Sequence, residues 1–173
     1  GMYCFAREDA AQVNLMGSGA IMGEVLEAAQ ILRARGLTCN IWSVTSYNEL
    51  SRQALAAERR GLLSVGDADE PVYLSELLAG ERGAFIAASD YQKALPMSVS
   101  RWIPGAYTVL GTDGFGLSED RAVLRDYFEV SAQWIVFAAL SSLAQSNDLP
   151  RDAALDYAAE AGLDLEKLDP AGI

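Results

Sequence analysis

The chemistry open to this sequence is bounded first by what it lacks. Among its 173 residues there is no histidine. That excludes an imidazole general base, a Ser-His-Asp or Cys-His nucleophile pair and any histidine metal ligand. The two cysteines, Cys4 and Cys39, are too few for a zinc site or a disulfide scaffold. A single disulfide is one reading of them, and reduced thiols in a cytosolic protein fit better. Carboxylates, hydroxyls and backbone amides remain, and two glycine turns are where they could do chemistry.

The first turn is Gly17-Ser18-Gly19, between a strand and a helix, where free N–H groups of a helix start can hold an anion. A dinucleotide fingerprint would need Gly-x-Gly-x-x-Gly, but the third glycine, Gly23, comes one position late. It would also need an acidic residue at the end of the next strand, and Thr38 to Ser46 contains none. The turn is thus a weak anion-site candidate, set against a tight turn that lets the helix pack close to the sheet. The second is Gly111-Thr112-Asp113-Gly114-Phe115-Gly116, in a loop at the C-terminal end of a strand, where open α/β sheets bind ligands. Thiamine diphosphate enzymes hold magnesium with Gly-Asp-Gly and a downstream Asn. Thr112-Asp113-Gly114 lacks the first glycine, and the nearest downstream Asn, Asn147, falls at the far end of a helix. The alternative is a loop whose Asp caps a turn. Gly66-Asp67-Ala68 is a weaker candidate still.

Both turns must be positioned by a fold, and the composition permits one: 51% of residues are apolar, enough for a core in a single domain. Asp and Glu outnumber Lys and Arg by 24 to 13, a net charge of −11, which suits neither a nucleic acid nor an anionic membrane surface. The acidic residues are scattered on polar helix faces as solvated groups. No stretch reaches the ~18 to 20 apolar residues of a membrane helix. The N-terminus lacks the basic flank and apolar stretch of a signal peptide. Gly1 before Met2 reads as a cloning remnant.

The pattern predicts strands at Tyr3–Ala6, Gln12–Met16, Cys39–Val44, Ala84–Ala88 and Tyr107–Leu110. Arg7-Glu8-Asp9 is a polar turn between the first two. A helix from Ala20 to Arg35 carries Ile21, Val25, Ala29 and Leu32 on one face and ends at Gly36. Ser46 caps a second helix that fades near Gly61, and a short one spans Val72 to Leu78. Ser89 and Asp90 precede another helix, where Pro96 belongs to the first turn. Ser118 is expected to cap a helix with Glu119 and Asp120 in its first turn. Ala132–Gln145 is apolar on several sides, so Trp134, Phe137 and Leu140 belong to the core, to a shared interface, or to both. Pro150 opens a last helix ending near Gly162. Strands alternating with helices imply an α/β fold with a mostly parallel sheet covered on both faces.

Four segments then occur in one order: Leu15-Met16-Gly17-Ser18-Gly19, Trp42 through Leu50, Ser89-Asp90-Tyr91, and Tyr107 through Gly116, with Phe128-Glu129-Val130 after them. Over nearly the whole chain, Tyr3 to Pro170, this resembles the C-terminal domain of the homodimeric, thiamine-diphosphate-dependent pyruvate dehydrogenases of bacteria, relatives of transketolase. The Tyr107–Gly116 run is the specific part. The resemblance implies a three-layer α/β/α domain with a five-stranded mixed sheet, one strand antiparallel. It also implies that residues 1–173 are one domain of a larger three-domain cytoplasmic enzyme. That enzyme decarboxylates pyruvate and passes the acetyl group to lipoyl carriers on a dihydrolipoyl acetyltransferase component. Thiamine diphosphate, magnesium and the catalytic histidines then belong to the preceding domains. This chain carries no catalytic, cofactor or metal residue and serves the homodimer and the neighbouring active site. Thr112, Asp113, Gly114 and Phe115 form the loop expected to face a neighbouring domain, with Asp113 and Phe115 projecting. Leu117 stands where the family usually has Arg, Arg60-Gly61 where Trp-Asn is common, and Pro96 in a helix usually free of proline. A stand-alone ligand-binding or oligomerisation module, or a domain of another transketolase-like 2-oxo acid dehydrogenase, are the alternatives.

Overall fold

Five strands form one sheet in the computed structural model, which describes residues 1–64 and 71–172. They are β1 (Met2–Ala6), β2 (Val13–Gly17), β3 (Cys39–Val44), β4 (Ala84–Ala88) and β5 (Tyr107–Leu110), in the order β1-β3-β2-β4-β5. β3, β2, β4 and β5 run parallel, and only β1 is antiparallel, paired to β3. β1 therefore does not pair with β2, although the two are separated only by the Arg7-Glu8-Asp9 turn. The helices are α1 (Met22–Ala34), α2 (Tyr47–Leu63), α3 (Tyr73–Leu77), α4 (Ala94–Met97), α5 (Arg121–Tyr127), α6 (Ala132–Gln145) and α7 (Asp152–Ala161). The Gly66-Asp67-Ala68 candidate lies outside the described residues.

Strand periodicity sorts the core into two layers. Val13, Leu15, Cys39, Ile41, Ala84 and Ile86 face α1, α6 and α7. Met16, Trp42, Val44, Phe85 and Ala87 face α2, α3 and α4. This is the expected three-layer α/β/α domain. Every residue of β2 and β4 is buried, as a strand covered on both faces requires. Two polar residues sit in the middle of this sheet. Asn14 accepts from Trp42 Nε1 (3.0 Å) and Asn40 Nδ2 (3.3 Å) and donates to the Arg82 carbonyl (2.7 Å). Asn40 also donates to Glu81 (2.7 Å), which holds Arg7. Fully satisfied, such a network fixes strand register rather than weakening the core.

α6 is the central helix of its layer. It packs on α1, α7 and β4, so Trp134 and Leu140 are buried and Phe137 half-buried within the domain itself. Most of the apolar surface of Ala132–Gln145 is thus core, with Phe137 left partly open. The stretch Arg121–Gln145 has the length and mean hydropathy (1.2) of a membrane span, yet 72% of its most apolar window is buried inside the domain. It is also two helices: Glu129, at φ 60°, breaks it. Glu129 N–H donates to the Asp126 carbonyl and Val130 N–H to that of Arg125, closing α5 in the pattern usually built on glycine. Glu24 of α1 then joins the pieces. One carboxylate oxygen takes Arg125 (2.6 Å) and the other the Ala132 N–H at the start of α6 (2.8 Å).

Several helix ends differ from expectation. Ser46 does cap α2, accepting from Glu49 N–H at 3.2 Å, but the helix passes Gly61 and ends at Leu63. A 3-10 turn over Gly19–Ile21 precedes α1, and Gly17 is still part of β2. Ser118 does not cap α5, which starts at Arg121 after Asp120. Glu119 and Asp120 belong to the loop.

Candidate functional site

The order β3-β2-β4-β5 has a switch point between β2 and β4. The chain leaves β2 through α1 on one face toward β3, and leaves β4 through α4 on the other face toward β5. The crevice between the carboxyl ends of two such strands is where open α/β sheets usually take a ligand. Gly17-Ser18-Gly19 follows β2 and Ser89-Asp90-Tyr91 follows β4, so the sequence motifs do converge there.

The crevice is occupied by the chain's own side chains. Ser18 and Ser89 are buried, and Ser18 Oγ donates to Ser89 Oγ at 2.8 Å. Ser89 Oγ also accepts from Tyr91 N–H (3.1 Å). Ser18 N–H donates to the Ala88 carbonyl (3.3 Å) and Ser89 N–H to that of Leu110 (3.1 Å). The Asp90 carboxylate stands 3.1 Å from where a Cβ on Gly19 would lie. The anion-site candidate Gly17, Ser18 and Gly19 thus has its central amide and hydroxyl engaged and a carboxylate of this chain beside it.

The second turn is tied at its root and open at its tip. Thr112 N–H donates to the Tyr91 carbonyl (2.9 Å), and Thr112 Oγ1 to that of Asp90 (2.5 Å). Asp113 Oδ1 accepts from Lys93 N–H at 2.9 Å. Asp113 therefore does not project from the sheet edge: it folds back, half-buried, and secures the start of α4. Phe115 does project. It is 81% exposed, and Leu117 beside it is 49% exposed. Between the turns lies a cleft of about 510 Å3 whose walls include Ile21, Asp90, Thr112, Leu124, Arg125 and Phe128.

Neither a metal nor a diphosphate finds a matching donor set here. Asp113 is already bonded. Asp148, next to Asn147, lines a cavity with Gln12 and Gly83 at the opposite end of the sheet, so Asn147 and Asp113 lie at different ends. Among the described residues no three Cys, Asp or Glu side chains converge as metal ligands would. Burial pushes the Cys39 thiol up to about 12, the Glu8 carboxylate adding to it and Arg33 opposing. Cys39 is therefore a protonated, inert core residue at neutral pH. Burial likewise raises the Tyr107 phenol, whose hydroxyl donates to the carbonyl of Pro96 (3.1 Å). The Ser18–Ser89 bond is the feature that sequence reasoning missed. The only signal for it was a hydroxyl residue directly after each of two adjacent parallel strands.

Comparison with known proteins identifies the family and the fold. Residues 1–131 match the family model of the transketolase-like C-terminal domain. The chain is 43% identical, over 98% of its length, to the pyruvate dehydrogenase E1 component of Pseudomonas aeruginosa, of which it spans 20%. It is 36% identical, over 92% of its length, to the E1 component of Escherichia coli K12, of which it spans 18%. The chain thus spans about a fifth of the curated relatives it matches. Its fold superposes on Campylobacter jejuni transketolase with a TM-score of 0.57 at 22% identity, covering 82% of this chain and 18% of that one. This chain belongs to the transketolase-like C-terminal domain family.

Proposed function

We propose that this chain is the C-terminal, non-catalytic domain of a thiamine-diphosphate-dependent pyruvate dehydrogenase. The 43% identity across 98% of the chain carries the proposal. In this reading the larger enzyme is a cytoplasmic homodimer that decarboxylates pyruvate and delivers the acetyl group to lipoyl carriers of a dihydrolipoyl acetyltransferase. Thiamine diphosphate and magnesium belong to its preceding domains. The residues present here do not fit that cofactor, as the commitments of Asp113 and the distant Asn147 indicate, so no step of the reaction runs through them. The part of this domain is support: the Thr112–Phe115 loop, with Phe115 exposed at its tip, and Leu117 face a neighbouring domain, and the plugged β2/β4 crevice keeps the supporting edge rigid.

The test is a graft. This chain replaces the matching fifth of the Pseudomonas aeruginosa enzyme, and pyruvate decarboxylation and acetyl transfer are assayed. The expected result is a dimeric chimaera with turnover within about tenfold of the parent. A folded, cofactor-loaded dimer without turnover overturns the reading. The chain alone is expected to show no calorimetric binding of thiamine diphosphate with Mg2+, and micromolar binding would relocate the chemistry.

A further inference from the structure

The segment after α7 carries no sequence signal, yet it is anchored at two points. Lys167 Nζ donates to the carbonyls of Asp126 and Tyr127, each at 2.8 Å. These carbonyls end α5, where a cation suits the dipole; that of Asp126 also accepts the Glu129 N–H. The same ammonium lies 5.0 Å from the ring centre of Trp134 and 5.7 Å from that of Tyr127, with the Glu129 carboxylate at 3.8 Å. Its side chain is only 18% exposed, so these cation–π contacts act in a partly desolvated setting. Trp134 is itself fixed by its Nε1–H to Asp126 (2.9 Å).

The second anchor is Pro170, buried in a 3-10 turn over Pro170–Gly172. Its carbonyl would lie 2.2 Å from a Cβ on Gly114, and Gly114 has φ 92°. Only glycine allows this approach and this backbone. A turn holds the proline in place, with Ala171 N–H donating to Asp169 Oδ1 (2.9 Å) and Gly172 N–H to the Asp169 carbonyl (2.9 Å). The anchors fall on two segments with little core of their own, α5 being otherwise held by Glu24 at Arg125. α5 has no fully buried residue, and the glycine loop is tied only at Thr112 and Asp113.

We infer that residues 163–172 are a strap that sets the position of α5 and of the Gly111–Gly116 loop. Lys167 is its positioning residue for α5, and Pro170 its contact with the loop. The bearing of the strap on catalysis rests on the function proposed above; the strap itself does not.

Amide hydrogen exchange on the chain tests it, with Lys167→Met, Lys167→Arg and Gly114→Ala. Lys167→Met keeps the methylenes but loses the cation and its donors. The expected result is exchange at Leu124, Phe128 and Val130 at least about tenfold faster, with β2, β3 and β4 unchanged. Lys167→Arg restores most of the protection, and Gly114→Ala speeds exchange at Thr112. Unchanged exchange in α5 overturns the strap. So does equal acceleration in the strands, which would make Lys167 a contributor to global stability only. The same Lys167→Met in the grafted enzyme is expected to lower kcat. Faster α5 exchange with unchanged kcat overturns the bearing of the strap on catalysis and leaves the strap standing. An inactive unmutated graft, with the exchange result as expected, overturns the proposed function and leaves the strap standing.

Discussion

The two glycine turns lie at the same, C-terminal end of the sheet, with Ser89-Asp90-Tyr91 between them, and use their groups in opposite ways. Gly17-Ser18-Gly19 is closed: Ser18 is buried, its amide and hydroxyl are engaged, and it bonds across the switch point to Ser89. Gly111–Gly116 is closed only at its root, through Thr112 and Asp113, and ends in a Phe115 that is 81% exposed. A glycine pair after a strand therefore does not identify a ligand cradle. What the following polar residue bonds to decides whether the turn binds, plugs or presents. Here the plug comes first and the presenting loop is built against it, since Thr112 bonds to the carbonyls of Asp90 and Tyr91.

The root of the second turn should be more sensitive than the plug of the first. At Gly111 an added Cβ would meet the Tyr91 carbonyl oxygen at 2.7 Å and Lys93 N at 3.0 Å, both backbone atoms. Neither can swing away as a side chain would. Gly111→Ala is expected to cost about 2–4 kcal/mol in urea unfolding, as overpacking against rigid neighbours does. A cost below ~0.5 kcal/mol would mean that the root is not held by this approach. The plug should be less sensitive. Ser18→Ala removes one buried hydrogen bond, but Ser89 Oγ keeps the Tyr91 N–H. The expected loss is about 1 kcal/mol. A loss above ~3 kcal/mol would make the plug, not the loop root, the keystone of the edge.

The same contrast explains what the sequence disclosed. β4 was legible because Ala84–Ala88 carries no polar residue, and β3 because its apolar residues point to both layers. Motif order and the long Tyr107–Gly116 run disclosed the family. Asn14 and Asn40 were not legible as core, because a polar residue on a strand reads as exposed until its partners are known. Those partners, Trp42 and Glu81, lie 28 and 41 positions away. The Ser18–Ser89 bond spans 71 positions, and no local pattern announces such a pairing. α6 looked the same whether core or interface, and only the packing of α1, α7 and β4 shows how much of it is core. Ser118 has the right chemistry for a cap, yet α5 begins at Arg121. A capping preference of about 1 kcal/mol is too small by itself to fix where a helix starts.

Phe115 gives the smallest expected effect on stability and the sharpest test of presentation. A side chain 81% exposed contributes little to the folded domain, so Phe115→Ser should change unfolding stability by no more than ~0.5 kcal/mol. Its neighbours argue that it is nonetheless placed rather than loose. Gly114 is pinned under Pro170, and Asp113 is bonded to Lys93 N–H, so the chain enters the tip from two fixed points. A large apolar group held outward in this way is expected to bury itself on a neighbouring domain. In the grafted enzyme, Phe115→Ser should therefore lower turnover or weaken the dimer while the unfolding curve of the chain alone stays in place. A fall in both would show that Phe115 packs within its own domain. Unchanged turnover and dimerisation would show that the tip is an ordinary solvent loop, and the contrast between the two turns would then be one of burial without any difference in use.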